Sequence, residues 1–121
     1  MAIQARNVYH VDFAFPDDQK LIHPVIVISI EEVCQAEGTF IGIPISHTPN
    51  PTELCFPLTD SMFKEPLKGG KSYAKLHLIT FLHIDQIQGR INDPWNIMKP
   101  VAFKNFMQEV FTLVFGFDIE F

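Results

Sequence analysis

The chain has 121 residues, enough for one domain with its own core and too few for two. A hydrophobic fraction of 47% against 19% charged residues excludes a disordered chain, and a net charge of −5 argues against broad electrostatic capture of nucleic acid. Two cysteines make no disulfide framework, no opening apolar run follows a basic flank, and no apolar stretch reaches the ~20 residues of a membrane span, so a cytoplasmic, membrane-free protein is expected.

Residues 7–15 (Asn-Val-Tyr-His-Val-Asp-Phe-Ala-Phe) alternate in part and are rich in Val, Tyr and Phe, which predicts a strand. Residues 16–20, Pro-Asp-Asp-Gln-Lys, predict a turn. Residues 23–30 (His-Pro-Val-Ile-Val-Ile-Ser-Ile) are β-branched and almost continuously apolar, the pattern of a strand buried on both faces. Pro24 must sit near its start, because proline cannot donate to a central ladder. Residues 31–38 are polar and end in glycine, and are read as a connection.

Residues 39–46 predict a third strand, with Gly42 and Pro44 marking a bulge or bend. Residues 52–58 predict a short fourth strand, and residues 60–70 a polar excursion ending in Gly69-Gly70. The alternating segment 71–78 reads as a strand, and residues 80–83 continue it or form the next. Residues 84–92 hold a helical turn or a last strand, and Pro94-Trp95 is a break. From Lys99 the period changes. Phe103, Phe106, Met107, Val110 and Val114 recur at spacings of three and four, an amphipathic helix with Pro100 in its first turn and Gly116 as its stop. The remaining residues, 116–121, form an apolar tail that could add a strand. Short strands followed by a helix predict a mainly β single domain over 1–121: a small barrel or a strongly bent antiparallel sheet with a C-terminal helix.

Four segments in this order resemble the MazF/PemK toxins. They are Asn7-Val8-Tyr9-His10-Val11-Asp12-Phe13, His23-Pro24-Val25-Ile26-Val27-Ile28-Ser29, Pro44-Ile45-Ser46-His47, and Ser72-Tyr73-Ala74-Lys75-Leu76 with Ile87-Gln88-Gly89-Arg90-Ile91 behind it. The resemblance spans roughly residues 7–115. It implies an SH3-like, CcdB/MazF-type fold, a homodimer, an antitoxin protein as partner, and cofactor-free, metal-independent cleavage of single-stranded RNA. In that chemistry the 2′-OH attacks the neighbouring phosphorus and the 5′-oxygen leaves. A base, an acid and a cation or donor set assist.

In many family members an arginine precedes the proline of the second segment, and a threonine closes the third. This chain has His23 and Ser46 there. The imidazole titrates near neutrality and suits acid–base work, but it lacks the permanent bidentate charge of a guanidinium. The catalytic candidates are therefore His23 and Ser46. His47, Lys68, Lys71, Ser72 and Lys75 are the candidates for RNA contact, with Lys64 close by in the same run. An ordinary solvated lysine face is the favoured reading of those charges. The five histidines match no zinc-ligand spacing, so no metal is expected. The alternative reading is a non-catalytic binder on the same fold, either a CcdB-like gyrase inhibitor or an inactive RNA- or partner-binding relative.

Overall fold

The structure, a computed structural model, describes residues 3–14 and 20–119. Among these residues eight strands form one open antiparallel sheet. They are β1 (Asn7–Ala14), β2 (Lys20–Val27), β3 (Thr39–Ser46), β4 (Cys55–Leu58), β5 (Ser72–Lys75), β6 (Thr80–His83), β7 (Ile87–Gln88) and β8 (Asn96–Ile97). The main path runs β4-β5-β3-β2-β1-β7, with β6 also on β3 and β8 also on β1. Of the two expected architectures, the bent open sheet is the one formed. The predicted turn at 16–20 falls, up to residue 19, outside the described residues.

The sheet is bent because β3 changes partner along its length. Its first half, Thr39 to Gly42, pairs with β6, and Ile45 and Ser46 pair with β5. Its other edge holds β2 through Val25↔Pro44, Ile26↔Ile43 and Val27↔Gly42. Gly42 is required by packing: a Cβ there would run into the Val25 side chain. The bend foreseen from Gly42 and Pro44 is this change of partner.

The near-continuous apolar run of β2 is explained by two cores. Ile26 joins Val8, Ile43, Ile45, Ala74 and Leu76 on one face, closed by Phe106 and Val110. Val25 and Val27 join Ile3, Tyr9, Val11, Phe40 and Leu82 on the other, with Cys34. Alternate residues of one strand thus feed different cores, as the two-residue period of a strand requires.

Two helices cover the faces. α2 (Pro100–Glu109) starts with proline at its first position, where the missing N–H costs nothing. It continues as a π-helical turn, Val110–Val114. Gly116, at φ +73°, ends it: the Phe117 N–H donates to the Phe111 carbonyl (2.8 Å) and the Gly116 N–H to the Thr112 carbonyl (3.2 Å). Residues 117–119 form no strand. The other helix, α1 (Glu31–Glu37), occupies the segment read as a connection. It is only seven residues long and buries Cys34 alone, so its period is too short to register in the sequence. The glycine read as part of a connection instead ends this helix: Gly38 at φ +72° donates its N–H to the Cys34 carbonyl, 2.7 Å away. Boundaries also move. Residues 52–54 are a 3₁₀ turn, the fifth strand stops at Lys75, and β2 runs from Lys20 to Val27, so Pro24, opposite His10, lies in its interior and not near its start. β8, after the Pro94-Trp95 break, has only two residues and gives no periodic signal.

Gly42→Ala should lower the unfolding free energy in urea by about 1–3 kcal/mol, the usual cost of overpacking. Combining it with Val25→Ala should recover part of that loss; strictly additive losses would show that the two positions do not compete for space.

Candidate active site

The antiparallel register brings the sequence candidates from separate strands into one row. The β2–β3 ladder ends at Val25↔Pro44, where Pro44 has no N–H to extend it. Continuing that register by two residues sets His23 across from Ser46. On the other edge of β3, Ser46 pairs with Tyr73, and Tyr73 pairs with Pro57. Residues directly opposite in an antiparallel sheet project to the same face. His23, Ser46 and Tyr73 therefore share one face across β2, β3 and β5. The intervening residues Ile45 and Ala74 point the other way, into the core. All three members of the row are half-buried.

Ser46 and His47 have defined hydrogen-bond partners, and His23 Nε2 is buried from solvent. Ser46 Oγ accepts the Thr48 N–H at 3.1 Å, which leaves its own O–H available to donate. His47 is exposed and follows Ser46 directly. Its Nδ1–H donates to the Lys71 carbonyl at 2.8 Å. That bond selects the tautomer in which Nε2 carries the lone pair. Gly69, at φ +98°, lies beneath the ring, and a Cβ there would stand 3.5 Å from His47 Cε1. The Gly69-Gly70-Lys71 loop thus supports the imidazole.

No family model matches the chain and no curated protein matches it. Solved structures do. A mycobacterial endoribonuclease in complex with its cognate antitoxin superposes with a TM-score of 0.70 at 13% identity, covering 98% of this chain and all of that one. MazF from Deinococcus radiodurans gives 0.69 at 11% identity over 93% of this chain and 96% of its own. The Mycobacterium tuberculosis toxin MazF-mt6 gives 0.64 at 15% identity over 96% and 100%. The fold is MazF-like. The resemblance read in the four sequence segments thus extends to the whole architecture.

Within this MazF-like frame the cations are distributed unevenly. Lys68 and Lys71 are exposed on the loop before β5. Lys75 is half-buried on the same face as Tyr73, two residues on; it sits across from Cys55, and its Nζ donates to the Asn50 carbonyl at 3.1 Å. Burial pushes the Cys55 thiol pKa up, and the Lys75 charge partly offsets this. Ser72 is on the opposite face, 5% exposed and facing the core, so only its backbone remains for a ligand. Neither arginine of the chain joins the row. Arg6 donates to the Met98 carbonyl at 3.2 Å, and Arg90 lies beyond β7. Among the described residues no three His, Cys, Asp or Glu side chains group as metal ligands.

Sequence reasoning missed Tyr73. Its signal was the alternation of Tyr73 and Lys75 around the buried Ala74, which marks both as residents of the face opposite the core. His77 received no role there either. His77 lies in the turn after β5; its Nδ1 is buried with no hydrogen-bond partner among the described residues. Burial first, and then the Lys75 charge, lower its pKa from the ordinary 6.5.

Because the folded state favours neutral His77, stability is complete above pH ~6.5 and falls as pH drops through the lower folded value, where the unfolded chain binds the extra proton. His10, lowered by burial, acts in the same direction. In urea melts between pH 7 and 5, His77→Leu should show a shallower loss of stability than the native chain. An identical slope would remove His77 from the titration.

Proposed function

We propose that the chain is a toxin-like endoribonuclease that cuts single-stranded RNA without a metal and is neutralised by an antitoxin in the cytoplasm. The observation that carries this reading is the row His23–Ser46–Tyr73 on one face of a MazF-like sheet. It supplies an imidazole and two hydroxyls from three adjacent strands. In the reaction the 2′-oxygen forms a bond to phosphorus while the P–O5′ bond breaks, leaving a cyclic phosphate and a free 5′-OH. His23 serves as acid or base. The Ser46 hydroxyl donates to a phosphate oxygen, and the Tyr73 phenol is a second donor beside it. His47 Nε2, made basic by the tautomer its Lys71 contact selects, is the complementary proton acceptor. Lys68, Lys71 and Lys75, with the Ser72 backbone, line the strand's path and offset the acidic net charge locally.

Leu113, Phe115 and Phe117 at the end of the α2 segment are about half exposed. An apolar surface of that kind suits a second copy of the chain or the antitoxin, which is why a homodimer forms part of the reading. The rival is a CcdB-like binder that cuts nothing, and it is favoured by one observation: no guanidinium stands in the row.

Cleavage of a single-stranded RNA should persist in EDTA. It should fall about 10²-fold or more in His23→Ala, a typical cost of losing an acid–base group, with Ser46→Ala and Tyr73→Phe losing less. Intact RNA beside inhibited gyrase would replace this reading with the binder.

Replacing Lys68, Lys71 and Lys75 together with Gln should weaken RNA binding and reduce its log–log salt slope by roughly two to three units, one per lost phosphate contact. Binding that is unchanged across a salt series would remove the lysines from the path.

A further inference from the structure

The edge of the sheet where β1 meets β7 carries a second site, built from different residues. Val11 pairs with His23, so its neighbour His10 projects to the other side of the sheet. There, where His10 pairs with Gln88 of β7, lies a cavity of about 520 Å³. Its size is that of a small-ligand site. The aromatic wall is already ordered: the His10 and Trp95 rings meet edge to face, with centroids 4.7 Å apart at 67°. Trp95 still has 38% of its surface exposed. Tyr9 backs the wall with its polar end satisfied, donating to the Ile91 carbonyl at 2.7 Å and accepting from Asn7 Nδ2 at 3.1 Å. The bond to Ile91 also ties the following loop to β1.

The loop brings charge to the mouth. Gly89, at φ +97°, turns the chain, and the Asp93 N–H donates to the Arg90 carbonyl at 3.2 Å. Arg90 and Asp93 both line the cavity, and among the described residues neither is held in an ion pair. Two aromatic rings set edge to face, one amide, one guanidinium and one carboxylate thus line one small cavity.

We propose that this cavity binds a nucleotide, with its base stacked on Trp95 beside the His10 ring, its polar base edge on Gln88 and Asp93, and its phosphate on Arg90. The aromatic wall selects a planar ring, because base-on-aromatic contact gains energy from any π-face. Gln88 offers a donor and an acceptor side by side, the complement of a base edge. Asp93 accepts from an exocyclic amino group, which adenine, cytosine and guanine possess and uracil lacks. Arg90 provides the fork geometry that phosphate oxygens match. Burial lowers the His10 pKa, so the ring stays neutral near pH 7 and adds no charge beside the base. The assignment uses neither His23 nor Ser46 and does not depend on RNA cleavage.

Trp95 is the only tryptophan, so its emission reports the site directly. The full chain is titrated with AMP, CMP, GMP, UMP and ribose 5-phosphate. Saturable quenching by the amino-bearing nucleotides is expected, with UMP several-fold weaker and ribose 5-phosphate inert. Arg90→Gln should weaken binding about tenfold, as the loss of a charged hydrogen bond does. In Trp95→Leu, with circular dichroism as the check on folding, saturation transfer to the base protons should disappear. His23→Ala should quench as the native chain does, which separates this site from the proposed cleavage site. A 2′-O-methyl hexanucleotide, which cannot be cut, distinguishes the sources: displacement of AMP assigns the site to one residue of a strand, and failure to displace it assigns the site to free nucleotide. The proposal is overturned by the absence of saturation at about 10 mM, weaker than any useful site. It is equally overturned by ribose 5-phosphate binding as well as AMP, or by base-proton transfer surviving Trp95→Leu.

Discussion

β3 holds three neighbours at once, and that constraint sets the geometry of the molecule. One edge carries β2, and the other carries β6 and then β5. A strand can do this only if the sheet bends where the partner changes. Gly42 and Pro44 stand in that interval. Gly42 gives the Val25 side chain the space a Cβ would take. Pro44 contributes no N–H, so the ladder to β2 stops there. The residues just beyond, His23 on β2 and Ser46 on β3, are relieved of pairing with each other while still fixed by their other neighbours, Val11 and Tyr73. The break in hydrogen bonding and the candidate site have one cause.

The fold class was readable because the strongest signals were the ones tertiary structure keeps. β2 is apolar on both sides because it serves two cores, and its β-branched run says so before any coordinates. The spacing of Phe103, Phe106, Val110 and Val114, with Pro100 before it and Gly116 after it, delimits the C-terminal helical segment. What escaped was short. α1 has one buried residue and no side-chain cap, and β8 has two residues. Such elements are held by the sheet they join and not by local preference, so local preference cannot reveal them. Asn96 illustrates this. It is 3% exposed, accepts from the Glu65 and Ile97 N–H groups and donates to the Glu65 carbonyl. One polar side chain anchors β8 across 31 residues of sequence, and no window along the chain could find it.

The site was legible in part for the same reason. His23 and Ser46 were singled out from ordered motifs, and their common face follows from register, which motifs do not carry. Tyr73 joins them because β5 pairs with β3, a long-range fact. Ser72 departs from them because adjacent strand residues face opposite ways. A reading by proximity in sequence grouped Lys71, Ser72 and Lys75 as one contact surface. The pleat divides them: Ser72 goes to the core, and Lys75 to the face of the row.

The absence of arginine from the row changes what the remaining groups must do. A guanidinium holds its charge at every working pH and binds two phosphate oxygens in one plane. An imidazole near neutrality is charged part of the time and binds one oxygen at most. Under the proposed function, an anion at this face would be held by several weaker donors and not by one clamp. The structure has such a set: the Ser46 hydroxyl, the Tyr73 phenol and the Lys75 ammonium on one face, with the exposed Lys68 and Lys71 in the loop that props His47. Distributing the charge over an acidic protein has a physical consequence. Lysines on a glycine-rich loop are hydrated and individually weak, so under the proposed function the strand-borne hydroxyls would fix an anion's position while the lysines supply attraction. The rigid part of the site lies on β3 and β5, and β3 owes its placement to the bend at Gly42 and Pro44.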